Sequence, residues 1–196
     1  MLDDRVTPQQ RRRAATRAEI LDAAWNQCRS EGLASLSLRQ LAAAVGMRAP
    51  SLYSYFESKD AIYDAMFRDA QEQLGEWMAG VDDERPVTRD VIKRGTRRWF
   101  EFCIADPVRY QLMFQRVIPG FEPSPESYAR AVERLDGAVA VLREAGITDP
   151  ARIDLFTALI TGLTSQQISN DPGGGRWTAV LDDAIDMYLD HAGVLT

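Results

Sequence analysis

The stretch Ser37–Lys59, SLRQLAAAVGMRAPSLYSYFESK, decides the fold because it is typical of two short helices joined by a tight turn. Ser37 is a favourable N-cap, and apolar residues follow it at the three-, four- and seven-residue spacings of one helix face. Gly46 stands where a helix C-terminus favours positive φ, and Pro50 stands in the first turn of the second helix, where its missing N–H costs nothing. Two short helices around a glycine-containing turn predict a helix-turn-helix.

The longer segment 17–66, RAEILDAAWNQCRSEGLASLSLRQLAAAVGMRAPSLYSYFESKDAIYDAM, resembles the N-terminal domain of the tetracycline-repressor (TetR) family of transcription regulators. The most specific pieces are ILDAA, SLRQLAAAVG, LYSYF and the SK that opens the next helix. The resemblance runs without a gap over about a quarter of the chain. It implies a DNA-binding domain followed by a helical body that binds a small effector and pairs with a second copy.

The charge of the chain is distributed unevenly. The segment from Arg5 to Phe56 holds eight arginines and three acidic residues, a net charge of +5, whereas the whole chain carries −6. The remainder therefore carries −11. A basic N-terminal quarter on an acidic body is expected of a DNA-binding protein, because neutralised phosphates supply most of the non-specific affinity for DNA.

Composition and motifs narrow the function classes. The 196 residues are 45% hydrophobic and 27% charged, no apolar run reaches the length of a membrane span, and no signal peptide opens the chain. Cys28 and Cys103 lie too far apart for a CxxC pair or a metal site, which favours reduced thiols in a cytoplasmic protein. No nucleophile elbow, P-loop, dinucleotide fingerprint or metal-ligand spacing occurs, and the single histidine, His191, stands at a helix end. We therefore expect no enzyme, no cofactor and no metal.

The periodicity predicts an all-α protein of about nine helices. We expect a helix-turn-helix DNA-binding domain over residues 1–57, with 1–12 as a flexible basic arm, and a ligand-binding and dimerisation domain over 58–196. The long fourth helix connects them and ends at the DDERP sequence of residues 82–86. The predicted helices are about 14–31, 37–44, 49–56, 58–80, 88–105, 107–114, 125–145, 150–169 and 177–191.

The resemblance assigns the DNA-binding residues. It places the start of the second motif helix against bases, where an arginine can pair with guanine O6 and N7. It implies base or phosphate contact for Arg39 and phosphate contact for the remaining positions, with Tyr55 standing where the family more often has histidine. The predicted DNA-binding residues are Ser37, Arg39, Arg48, Ala49, Pro50, Ser51, Tyr53, Tyr55 and Lys59.

Alternatives stay open for Arg39, for Tyr53 and for the arginine run 11–13. Arg39 could pair with Glu19 or Asp22 of the first helix instead of DNA. Tyr53 could belong to the core of the domain, with only its hydroxyl at a phosphate. The run 11–13 could contact phosphates, enter a minor groove or remain a solvated tail.

For the body, the resemblance implies an effector pocket enclosed by helices 5 to 7, and two threonines of helix 8 are further candidates. Aromatic residues, Met and a few hydroxyl groups suit a largely apolar ligand of moderate size. The alternative is that the same aromatic stripe is ordinary core. The predicted effector-binding residues are Trp99, Phe102, Cys103, Tyr110, Met113, Phe114, Phe121, Tyr128, Thr157 and Thr161.

The last two helices are apolar over more than one face, which predicts both a core contact and a second surface. A two-fold homodimer would supply that surface and would place two recognition helices about one duplex turn apart. The predicted dimer residues are Phe156, Leu159, Leu163, Trp177, Leu181, Ile185 and Tyr188. These features predict a ligand-responsive repressor that binds a pseudo-palindromic DNA operator; the alternative is a helical interaction protein whose helix-turn-helix no longer binds DNA.

Overall fold

The computed structural model describes residues 7–81 and 84–194, and these residues form nine α-helices without any strand. The predicted all-α class is therefore confirmed. The helices, numbered in chain order, are α1 Pro8–Glu31, α2 Leu38–Ala44, α3 Ala49–Leu52, α4 Lys59–Met78, α5 Arg89–Ala105, α6 Pro107–Phe114, α7 Pro125–Glu144, α8 Pro150–Asn170 and α9 Leu181–Ala192.

The first helix begins earlier than the sequence pattern predicted. Thr7 caps α1 by accepting from the Gln10 N–H, and the Gln10 side chain accepts from the Thr7 N–H in return. This capping box and Pro8 in the first turn begin the helix without any apolar periodicity. The prediction of an unstructured segment before about Ala14 was wrong for residues 8–12, while 1–6 of the predicted arm lie outside the described residues.

Two other helices are shorter than predicted. The α3 helix ends at Leu52, and residues 53–55 form turns. The α9 helix begins at Leu181, after a short 3₁₀ segment over Thr178–Val180. Asp82 and Asp83 of the predicted break after α4 lie outside the described residues.

The chain divides into two compact units. The first contains the described residues up to Asp69 together with Gln111–Ser127, and the second contains Ala70–Tyr110 with the chain from Tyr128 onward. The boundary expected at residues 57 and 58 is thus not where the chain contacts divide. The assignment of DNA binding and ligand binding to separate domains stays a prediction.

The core of the first unit gathers around α1 and the first half of α4. Ile20, Cys28, Ile62 and Met66 are completely buried there. The Trp25 indole N–H donates to Asp69 Oδ2 at 2.8 Å, which joins α1 to α4 by a polar contact at the edge of this core. These contacts hold α1 and α4 together as the support on which α2 and α3 pack.

The second unit has a core of α5, α7, α8 and α9 residues, among them Phe100, Ile153 and Leu189. Beside it, basic residues of α5 face acidic residues of α9 at four-residue intervals. Arg89 pairs with Asp186 and Asp190, Lys93 with Asp186, and Arg97 with Asp182.

The apolar residues that recur at helical spacing along α7 do not share one buried face. Tyr128, Val132 and Leu135 are 56%, 39% and 55% exposed, whereas Leu142 is buried. Trp77 of α4 is likewise 43% exposed.

Across the two described ranges, no helix combines the length and apolarity needed to cross a bilayer.

Candidate nucleic-acid interface

The turn between α2 and α3 is built as the sequence predicted. The Ser37 hydroxyl accepts from the Gln40 N–H at 3.4 Å and caps α2. Gly46 has φ of 68° at the other end, and its N–H and that of Met47 donate to the carbonyl oxygens of Ala43 and Ala42. These paired bonds form a Schellman motif, which turns the chain sharply and brings α3 beside α2.

The start of α3 presents a cluster of accessible groups. Arg48 is the N-cap, with extended backbone dihedrals of −86° and 144°, and its side chain is exposed. Pro50 and Ser51 are also exposed and Ala49 is half-buried. Leu52 is buried and anchors the helix in the core, while Arg48, Pro50 and Ser51 at its start remain exposed.

Three further predicted DNA-binding residues flank this cluster. Arg39 of α2 is exposed, and Ser37 is half-buried at the start of the same helix. Tyr53 is 56% exposed, so its ring does not belong to the core. Hydroxyl and guanidinium groups therefore stand before and after the start of α3 in the sequence, and their contact with phosphates stays a prediction.

Tyr55 and Lys59 are more engaged with the protein than predicted. The Tyr55 ring lies 5.2 Å from the Arg13 guanidinium, and its backbone carbonyl accepts from Arg17. Lys59 Nζ donates to the Ala34 carbonyl at 3.3 Å and lies 5.5 Å from the centre of the Tyr63 ring. Both side chains are half-buried, and their contact with DNA stays a prediction.

Sequence reasoning missed the part that Arg13 and Arg17 play beside this surface. Arg13 Nη2 donates to the Ser54 carbonyl at 2.5 Å, and the Arg17 guanidinium lies 4.1 Å from the centre of the Phe56 ring. The sequence contains two indications of this contact. The two arginines stand four residues apart on one helix face, and no glycine cap follows Leu52. The pattern instead groups Arg13 with Arg11 and Arg12 in one basic run.

The predicted effector residues are distributed over both compact units. Met113, Phe114 and Phe121 belong to the first unit, where Phe121 packs on Tyr63 with ring centroids 5.4 Å apart. The other seven belong to the second unit. Across both units, Phe102, Cys103, Tyr110 and Met113 are buried, Trp99, Phe121 and Thr161 are half-buried, and Phe114, Tyr128 and Thr157 are exposed.

Burial raises the pKa of the Cys103 thiol, so this side chain stays protonated and behaves as a small apolar group.

The second unit contains a cleft of about 510 Å³. Phe102 is the one lining residue of this cleft that the sequence predicts to bind the effector. The Arg109 guanidinium stacks 3.6 Å from the centre of the Phe102 ring and donates to Gln73 Oε1 and the Phe102 carbonyl. Trp77 Nε1 donates to the Arg98 carbonyl at 2.8 Å. The lining is therefore aromatic and cationic together: Gln73, Glu76, Trp77, Arg98, Phe102, Ala105 and Arg109.

Four of the predicted dimer residues belong to the core of this chain. Leu181 and Ile185 are completely buried, and Phe156 packs on Tyr188 with ring centroids 4.9 Å apart. Leu159, Leu163 and Trp177 are half-buried. Three large apolar side chains are exposed instead: Leu155 of α8, Val180 just before α9, and Met187 of α9. Their exposed fractions are 51%, 41% and 63%.

Known sequences are similar to the segment that contains α2 and α3. Residues 20–66 match the family model of bacterial regulatory proteins, tetR family. The HTH-type transcriptional regulators Rv1816 of Mycobacterium tuberculosis and Mb1846 of Mycobacterium bovis are each 28% identical over 148 residues. That alignment covers 73% of this chain and 62% of each relative, so the chain spans less than two thirds of their length.

Solved structures share the fold along nearly the whole chain. The crystal structure of the protein SCO4313 is similar with a TM-score of 0.78 and 23% identity, covering 94% of this chain and all of that one. The TetR family transcriptional regulator PfmR from Thermus thermophilus is similar with a TM-score of 0.67 and 18% identity, covering 87% of this chain and 97% of that one.

Proposed function

We infer the function of this chain from its membership of the tetR family of bacterial regulatory proteins, and propose that it binds a pseudo-palindromic operator as a homodimer and represses transcription. The proposal rests mainly on the exposed start of α3. In the sequence this helix start is preceded by the exposed Arg39 and followed by the exposed Tyr53. The basic N-terminal quarter supports it, since cationic side chains attract the DNA backbone. Such a regulator would act in the cytoplasm, where it reaches chromosomal DNA.

Within this proposal, Arg48 reads bases and its neighbours fix the protein on the backbone. The Arg48 side chain makes no capping hydrogen bond to α3, and it is exposed. A guanidinium can donate two parallel bonds to guanine in the major groove. Ser37, Arg39, Tyr53, Tyr55 and Lys59 would hold phosphates, while Ala49, Pro50 and Ser51 lie close to the bases.

A binding experiment tests the DNA part. The full chain is incubated at low salt with a random duplex library, and bound DNA is selected, sequenced and measured by fluorescence anisotropy. We expect an inverted repeat whose half-sites lie about 10 base pairs apart. Failure to retain any duplex at low salt would contradict the proposal, and would leave the alternative of a helical interaction protein.

We propose that dimerisation uses the outward faces of α8 and α9 rather than their buried residues. Leu155, Leu159 and Leu163 recur every four residues along α8, and Met187 is the most exposed large apolar side chain of α9. A charge placed in such a surface is costly to bury on pairing. Leu155→Glu and Met187→Glu should yield monomers in sedimentation velocity at micromolar concentration, with the exposed Thr157→Glu of α8 as the control.

We further propose that a small effector releases the operator by binding the body. Trp77 and Phe102, with ring centroids 6.4 Å apart, would offer aromatic faces to an apolar ligand, and of the two only Phe102 is a sequence-predicted effector residue. The Arg98 guanidinium in the same cleft favours an acidic group on that ligand. Matched carboxylate and amide compounds tested by thermal shift would examine this, with Arg98→Gln expected to abolish any preference for the carboxylate.

A further inference from the structure

The DNA-reading segment is too short to hold its own orientation. The α3 helix has four residues, and the chain continues through turns to Phe56 before α4 begins. A helix end leaves carbonyl groups without intrahelical partners, and an isolated single turn of helix is unstable in water. The segment must therefore be fixed by contacts from elsewhere.

The buried side chains of Leu52 and Phe56 provide part of this fixation, and two arginines of α1 add contacts at the end of the segment. Arg13 Nη2 donates to the Ser54 carbonyl at 2.5 Å, and its guanidinium lies 5.2 Å from the centre of the Tyr55 ring. Arg17 Nη1 donates to the Tyr55 carbonyl, and its guanidinium lies 4.1 Å from the centre of the Phe56 ring. Each arginine thus joins one carbonyl and one aromatic ring at the end of the reading segment.

Arg13 and Arg17 make these contacts although their positive charges repel each other. Burial, together with the neighbouring positive charges of Arg13 and Arg68, lowers the pKa of the Arg17 guanidinium. Arg68 is itself paired with Asp64 at 3.1 Å, whereas Arg13 and Arg17 each contact a carbonyl and a ring. Hydrogen bonds from a charged donor and stacking on aromatic rings are strong enough to offset such repulsion.

We propose that Arg13 and Arg17 are positioning residues that clamp the end of the reading segment onto α1, so that Arg48 meets the DNA groove already oriented. The proposal rests on the DNA-binding function proposed above. A segment ordered before binding loses less conformational entropy when it binds, which raises affinity without adding any contact to DNA.

The rival role for these two residues is direct contact with DNA phosphates, and salt dependence separates the two. An arginine that neutralises a phosphate contributes close to one unit to the slope of log K against log salt concentration, and its loss weakens binding to all sequences alike. A positioning residue changes the affinity for the selected operator and leaves both the slope and the non-specific affinity unaltered.

The experiment compares Arg13→Met and Arg17→Met, which keep an apolar stem, with Arg143→Met, an exposed arginine of α7 outside the basic N-terminal run. Binding to the selected duplex and to a scrambled duplex is measured at several salt concentrations. We expect each clamp variant to lose about tenfold in affinity for the selected duplex, as the loss of one charged hydrogen bond implies. Arg13→Lys should recover part of this loss because an ammonium can still donate to the Ser54 carbonyl.

A second measurement needs no DNA. Amide hydrogen exchange of Ser54, Tyr55 and Phe56 should be faster in both clamp variants than in the wild type and unchanged in Arg143→Met. Arg13 is exposed, so its variant should fold even if Arg17→Met does not. Unchanged exchange together with a slope reduced by about one would overturn the clamp and assign the arginines to phosphates. If the wild type binds no DNA while exchange is accelerated, the clamp stands and the proposed DNA function fails.

Discussion

Asp64 Oδ1 accepts a hydrogen bond of 2.7 Å from the backbone N–H of Ser124, although the two residues lie 60 positions apart in the sequence. The same carboxylate accepts from the hydroxyls of Ser124 and Ser127 and from Arg68 Nη2. One side chain of α4 therefore holds the first turn of α7. Although burial acts to raise it, these hydrogen bonds lower the pKa of Asp64.

Removing this carboxylate should destabilise the protein. Asp64→Ala leaves the Ser124 N–H and the hydroxyls without their acceptor, and we expect the free energy of unfolding to fall by about 1–3 kcal/mol. A double-mutant cycle with Ser127→Ala, measured by urea denaturation, should give a coupling energy of about 1 kcal/mol. Additive losses would show that the two residues do not stabilise each other.

The ion pairs between α5 and α9 predict a dependence on pH. Hydrogen bonds from Lys93 and Arg89 lower the pKa of Asp186, so its contribution is present above the unfolded pKa of about 3.9 and is lost as pH falls through the lower folded value. Asp186→Asn should therefore lower the Tm at neutral pH and have little effect at strongly acidic pH. The exposed Asp183→Asn of the same helix is the control, and a Tm difference independent of pH would contradict the argument.

Gly46 should be favoured over other residues for a conformational reason alone. Its φ is 68°, and a Cβ added there would meet no atom within 4 Å, so Gly46→Ala tests the left-handed backbone without a steric clash. We expect a loss of about 1 kcal/mol in the free energy of unfolding. Gly137→Ala, inside α7 and equally open, should instead stabilise by up to about 1 kcal/mol. Equal effects of the two changes would contradict this reasoning.

Replacing Arg48 should alter DNA selectivity more than folding. Because this exposed side chain makes no capping bond to α3, Arg48→Ala should leave the Tm unchanged while reducing discrimination at one or two base pairs of each half-site by about 1–3 kcal/mol. Anisotropy titrations with single-base variants of the selected duplex measure this. Arg143→Ala, an exposed arginine of α7, is the matched control; a uniform loss over all sequences would make Arg48 a phosphate contact.

Local chemistry made much of the fold predictable. Ser37, Gly46 and Pro50 begin and end their helices where the pattern placed them, because capping and left-handed turns depend on a few adjacent residues. Thr7 shows the limit of the method, since its capping box starts α1 without the apolar spacing on which the prediction relied. The exposed start of α3 was likewise predictable from its own residues.

The sequence by itself determined the helices, their caps and the reading segment, since each follows from interactions within a few residues. Only the tertiary structure decided which apolar face is covered: Tyr128 and Leu135 are exposed, while Leu181 and Ile185 are buried in their own protomer. It also decided that Arg13 holds the Ser54 carbonyl 41 residues away. Periodicity shows that a helix has an apolar side or a charged one, but which partner meets that side depends on packing between residues far apart in the chain.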